Sequence, residues 1–70
     1  MTNKILYKKL GKNIKNIRKE KELTQEELSE KVGVSLEFIG RIEIATSKPS
    51  LDTLFKIAKA LDVEPYELLK

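Results

Sequence analysis

Apolar residues recur along this chain at helical spacing, in short segments separated by turn signals. Leu6, Leu10, Ile14 and Ile17 fall on one arc at about 100° per residue, with Tyr7 beside them. Lys4, Lys8, Lys12, Lys15 and Lys19 fall on the opposite arc. The pattern predicts an amphipathic helix from about Ile5 to Lys21 with a basic back. A second helix opens at Thr24. There a cap residue, Glu27 three positions later, and Leu23 and Leu28 at the N′ and N4 positions combine a capping box with a hydrophobic staple. Leu28 and Val32 face inward, and Gly33 ends the segment, because glycine takes the left-handed conformation without strain. Ser35 caps a third helix, with Val34 and Ile39 in the staple positions and Phe38, Ile39 and Ile42 on the inward arc. Lys48-Pro49-Ser50 interrupts the pattern. Ser50 caps a fourth helix with Leu51, Leu54, Ile57, Ala58 and Leu61 on a wide apolar face. Pro65 starts a last short helix, with Tyr66, Leu68 and Leu69 available to close the core. The expected architecture is all-α, a compact five-helix bundle in a single domain spanning residues 1–70. Its second and third helices, about 24–44, form a helix-turn-helix unit.

Charge changes this picture more than composition does. The net charge is +3, but residues 1–21 carry eight Lys and Arg against Glu20 alone, and residues 22–70 carry six against ten Asp and Glu. The positive field is therefore concentrated on the first segment, which favours a polyanionic partner such as nucleic acid. The chain has no cysteine and no histidine. That removes disulfides, thiolate chemistry, the commonest metal ligand and the commonest general base. No nucleophile–base pair, phosphate loop or metal cluster is visible, so no catalytic residue, metal or cofactor is expected, and the chain does not read as an enzyme. No apolar run approaches a membrane span and no signal-peptide pattern is present, so a cytoplasmic location is expected.

Several stretches together resemble the lambda-repressor-like helix-turn-helix family, the Cro/CI or XRE type. They are Leu23-Thr24-Gln25-Glu26-Glu27-Leu28, Val32-Gly33-Val34-Ser35, and Ile39 with Arg41-Ile42-Glu43. Pro49-Ser50-Leu51 and Ile57-Ala58-Lys59-Ala60-Leu61-Asp62-Val63 complete the set, and the resemblance runs from about Leu10 to Leu69. It implies a sequence-specific transcriptional regulator that binds double-stranded operator DNA. The helix at about 35–44 would enter the major groove and the preceding one would cross the backbone. Many members bind as two-fold dimers on inverted repeats, so a palindromic operator and a homodimer, at least on DNA, are expected.

Leu36, Glu37, Gly40, Arg41 and Ile44 lie on the outward arc of the third segment. Family positions matching Leu36, Glu37 and Arg41 commonly approach base edges, and Gly40 between them either leaves room for close approach or is simply tolerated in the helix. Arg41 can bond guanine O6 and N7 together, worth roughly 1–3 kcal/mol of discrimination. Glu37 can accept from the cytosine amino group, and Leu36 can touch a thymine methyl. Phosphate contacts are expected from Thr24, Gln25 and Ser35 at helix starts, where N–H groups and the helix dipole favour an anion. The loop Thr46-Ser47-Lys48 with Ser50 matches the family's second backbone-contacting region. Arg18 and Glu43 match family positions that usually pair, which implies a structural ion pair. The chain departs from the family where Ile44-Ala45 replaces the usual polar residue and glycine after the glutamate. Either Ile44 folds back into the core, or an apolar strip of Leu36, Gly40, Ile44 and Ala45 contacts a protein. The alternative function is therefore a protein-interaction module on the same scaffold, antitoxin-like or coactivator-like, with weak or no sequence-specific DNA binding.

Overall fold

The computed structural model describes residues 3–70, and every regular element among them is helical. Four α-helices follow in order: α1 (Asn3–Glu20), α2 (Gln25–Val32), α3 (Leu36–Glu43) and α4 (Leu51–Ala60). The expected fifth helix is instead a single 3-10 turn, Pro65–Leu68. Its bonds run three residues back, from Glu67 N to Glu64 O (2.9 Å) and from Leu69 N to Tyr66 O (3.0 Å). Only Leu68 is buried there, so no apolar stripe supports a longer helix.

The helix starts follow the hydroxyl signals. Thr24 Oγ1 accepts from Glu27 N at 3.0 Å, and Glu27 Oε1 accepts from Thr24 N at 2.8 Å. Ser35 accepts from Phe38 N and Ser50 from Thr53 N, both at 3.1 Å. Each such cap is worth about 1 kcal/mol. The helix ends repeat one device. Glu22, Gly33, Ala45 and Asp62 each take positive φ just past α1, α2, α3 and α4. The next residue then reaches back five positions: Leu23 N to Arg18 O, Val34 N to Ser29 O, Thr46 N to Arg41 O and Val63 N to Ala58 O, at 2.8–3.1 Å. Only one of the four is glycine, so three side chains sit in a region that disfavours them by roughly 1–2 kcal/mol each.

Ile14, Leu28, Ile39, Ile42, Ile57, Leu61 and Leu68 are fully buried, with Leu10, Val32, Leu54 and Ala58 completing the core. Helix α3 packs against α2 and α1, α4 packs against α2, and the C-terminal turn closes against α4 and α1. Gly11 decides how close α1 comes to α3. A Cβ there would stand 2.7 Å from the Glu43 carbonyl oxygen and closer still to that of Ile42. The sequence pattern carried no sign of this need.

The periodic arcs were too wide at their edges. Leu6, Leu51, Tyr66 and Leu69 are exposed, although each sits on an arc expected to face inward. The core arc of α4 is centred on Leu54, Ile57, Ala58 and Leu61, so Leu51 in its first turn lies at the rim. Leu6, Leu51 and Leu69 instead line a shallow apolar groove with Tyr7, Leu10 and Pro49. No helix among the described residues is long and apolar enough to cross a membrane.

Candidate nucleic-acid interface

The ridge of α3 is built by the same period that builds its core face. Ile39 and Ile42 point inward with Phe38 half-buried, which turns Leu36, Glu37 and Arg41 outward, where all three are exposed. Ile44 is also outward and 68% exposed, so it does not fold back into the core. It stands at the C-terminal end of the ridge, where Ala45 ends the helix. Arg41 Nη2 lies 3.4 Å from Glu37 Oε2 across one helical turn. Gly40 is half-buried beneath the side chain of Gln25, whose amide atoms lie 3.9 Å from where a Cβ would stand.

Gln25 connects the two helices of the unit. Its Nε2 donates to Glu43 Oε1 at 3.0 Å, which fixes the first residue of α2 against the end of α3. Glu43 is held in turn by Arg18 of α1, through Nε to Oε2 at 2.7 Å and Nη2 to Oε1 at 3.1 Å. Arg18 Nη1 also donates to Leu23 O at 2.8 Å. Both ionic residues are only 7% exposed, and no buried side-chain polar atom among the described residues lacks a partner. Three helices are thus tied by one polar network. The sequence offered Arg18 and Glu43 as a pair, but gave no signal that Gln25 joins them.

The start of α2 presents N–H groups of its first turn that have no intrahelical acceptor. Thr24 and Ser35 use an oxygen lone pair as caps; the Ser35 hydroxyl proton stays free to donate outward, whereas that of Thr24 is turned to the Glu27 carboxylate. Ser50 accepts from Thr53 N and also donates to Thr53 Oγ1 at 3.0 Å, so its proton is engaged within the chain. Thr46 is likewise occupied. Its hydroxyl and its N–H both donate to Arg41 O, at 3.3 and 2.8 Å. Lys48 is exposed, with its Nζ 5.4 Å from the centre of the Tyr7 ring, a cation–π contact that ties the loop to α1. The Glu27 carboxyl is held below the usual carboxylate range, first by the Thr24 backbone N–H, then by the Thr24 hydroxyl and Lys31. No group of three or more metal-ligating side chains occurs among the described residues.

Residues 14–68 match the family described as Helix-turn-helix. The chain belongs to that family, in its lambda-repressor-like, XRE branch. This is a family of DNA-binding transcriptional regulators. The chain is 37% identical over 64 residues to the uncharacterised HTH-type transcriptional regulator y4dJ of Sinorhizobium fredii, covering 91% of this chain and 83% of that one. It is 39% identical to the SinR regulator of Bacillus subtilis over 61 residues, but spans only 55% of SinR's length. The crystal structure of SinR, "the master regulator for biofilm formation", in complex with DNA superposes with a TM-score of 0.80 over 87% of this chain and 98% of that one. The P22 c2 repressor bound to a synthetic operator gives a TM-score of 0.81 at 34% identity, over 87% of this chain and 92% of that one.

Proposed function

We propose that this helix-turn-helix protein is a transcriptional regulator that reads a specific duplex sequence with α3 in the major groove. The observation that carries the reading is the exposed ridge of Leu36, Glu37 and Arg41, rigidly backed by Ile39 and Ile42 and bordered by the N-terminus of α2. Arg41 takes a guanine edge, Leu36 a thymine methyl, and Gly40 leaves the groove wall room to approach. Gln25 and Ser35 donate to phosphates on one flank, where Thr24, engaged with Glu27, shapes the helix start, and Lys48 serves the other. Ser50 and Thr46, whose protons are engaged within the chain, shape that loop rather than touch phosphate.

Two copies on an inverted repeat complete the reading. Successive major-groove faces recur every 34–36 Å or so. The domain measures 32 × 23 × 21 Å, so two copies set end to end along the longest axis have their centres about one turn apart. Leu69, with Leu6 and Leu51, is exposed at the apolar groove and is open to a second copy, whereas Leu68 is fully buried. The exposed Ile44 favours the second reading, a module that binds protein through the same face.

Selection of bound duplexes from a random pool, with Arg41→Ala as control, tests the proposal. A recovered motif that loses one guanine position in the control supports it. Recovery of no motif, with binding at low salt only, supports the protein-binding module instead.

A further inference from the structure

Glu37 is an odd residue for a ridge facing a polyanion. A lone carboxylate there is a repulsive element, yet it is 81% exposed on the outward side of α3. Its Oε2 lies 3.4 Å from Nη2 of Arg41, itself 59% exposed, and no other partner of either charged group is present among the described residues. We infer that Glu37 is a positioning residue, whose carboxylate draws the Arg41 guanidinium along the ridge and holds it over base edges rather than phosphates. The inference rests on the duplex-reading assignment above. It changes Glu37 from a reader of cytosine into the holder of the guanine reader.

The geometry supports this in three ways. Glu37 stands one turn nearer the N-terminus of α3 than Arg41 does. In a helix-turn-helix complex that end reaches the base edges, so the pull on the guanidinium is inward and away from the flanking backbone. Next, a guanidinium carries five N–H donors in a planar fork. The single contact to Glu37 engages one of them, and a bidentate pair with guanine remains open. Finally, the ridge is electrically neutral. Leu36, Gly40 and Ile44 carry no charge, and Glu37 cancels Arg41. An unpaired arginine would be drawn to phosphates of any sequence. With Glu37 beside it, that sequence-blind attraction is opposed and the wrong duplex is penalised. The surplus cations lie on α1 instead, off the reading ridge.

The test measures affinity of the full chain for its selected duplex and for a scrambled duplex across a salt series. Parent, Glu37→Gln, Glu37→Asp, Arg41→Ala and the Glu37→Gln/Arg41→Ala double variant are compared. Glu37→Gln is expected to tighten scrambled-duplex binding about twofold, and to cut the selected-to-scrambled ratio by about tenfold. Glu37→Asp keeps the charge but loses the reach to Arg41. It should lower the ratio similarly while leaving scrambled binding at the parent level. In the Arg41→Ala background, Glu37→Gln should change the ratio by less than about twofold, because the residue acts through Arg41. An equal loss of ratio with and without Arg41 overturns the inference, since Glu37 would then read a base itself. An unchanged ratio in Glu37→Gln overturns it too. A parent that selects no duplex removes the duplex-reading assignment and this inference together, and the parent arm alone reveals that case.

Discussion

Removing Glu43 should cost this domain a large part of its stability. Glu43→Ala strips two charge-assisted bonds, at 2.7 and 3.1 Å, from a guanidinium that is 7% exposed, and leaves Arg18 only the Leu23 carbonyl at 2.8 Å. Breaking a buried pair on one side costs about 3–5 kcal/mol, because the remaining charge stays out of water. A domain of this length has a stability of about 4–10 kcal/mol in total. The variant is therefore expected to lose at least about 30% of its stability and to melt more than about 10 °C below the parent. Urea unfolding followed by the helical circular-dichroism signal measures the difference. Arg18→Met should lose a comparable amount, because Glu43 keeps only Gln25. The double variant Arg18→Met/Glu43→Leu should regain most of the loss, since an apolar pair in the same space carries no desolvation penalty. A Glu43→Ala protein melting within about 2 °C of the parent, or a double variant no more stable than Arg18→Met alone, would refute the reasoning.

The other expectations concern glycines, a helix end and a carboxylate. Gly11→Ala should destabilise by about 1–3 kcal/mol in the same assay, because its methyl meets backbone carbonyls of Ile42 and Glu43 that cannot swing aside. Ala45→Gly relieves a positive φ of 64° and should raise stability by about 0.5–1 kcal/mol. Gly40→Ala finds only ordinary contact with Gln25. It should stabilise α3 by about 1 kcal/mol while weakening binding to the selected duplex, and an unimpaired affinity would show that the gap is not needed for approach. Glu27 has a carboxyl pKa lowered by folding, so its ionised form supports the folded state above the ordinary carboxylate range, and that support is lost as pH falls through the lowered value. The melting-temperature advantage of the parent over Glu27→Gln should accordingly shrink as pH is taken from neutral into acid.

What the chain revealed before its structure was mostly local chemistry. Thr24 with Glu27, Ser35, Ser50 and Gly33 are signals written within four residues, and the helix ends they mark lie where those signals place them. The ridge of α3 was legible for the same reason, since one helical period assigns both its faces. Features set by neighbours were not. Nothing near Gly11 in sequence shows that α3's terminal carbonyls will press on it. Periodicity placed Leu51 on an apolar arc but could not say which edge of that arc would meet another element. Glu22, Ala45 and Asp62 end helices without a glycine, because the back-reaching bonds of the following residue offset the strain. The tie from Gln25 to Glu43 joins residues 18 positions apart, and no local rule brings them together.

The exposed side chains of Leu36, Glu37 and Arg41 make none of the core contacts on which folding depends. If they read the duplex as proposed above, exchanging them would alter what is recognised without loosening the chassis beneath. A lineage of such proteins can therefore diversify its targets by surface edits alone. A host carrying several copies could keep them from answering one another's operators with only a handful of changes on a single helix.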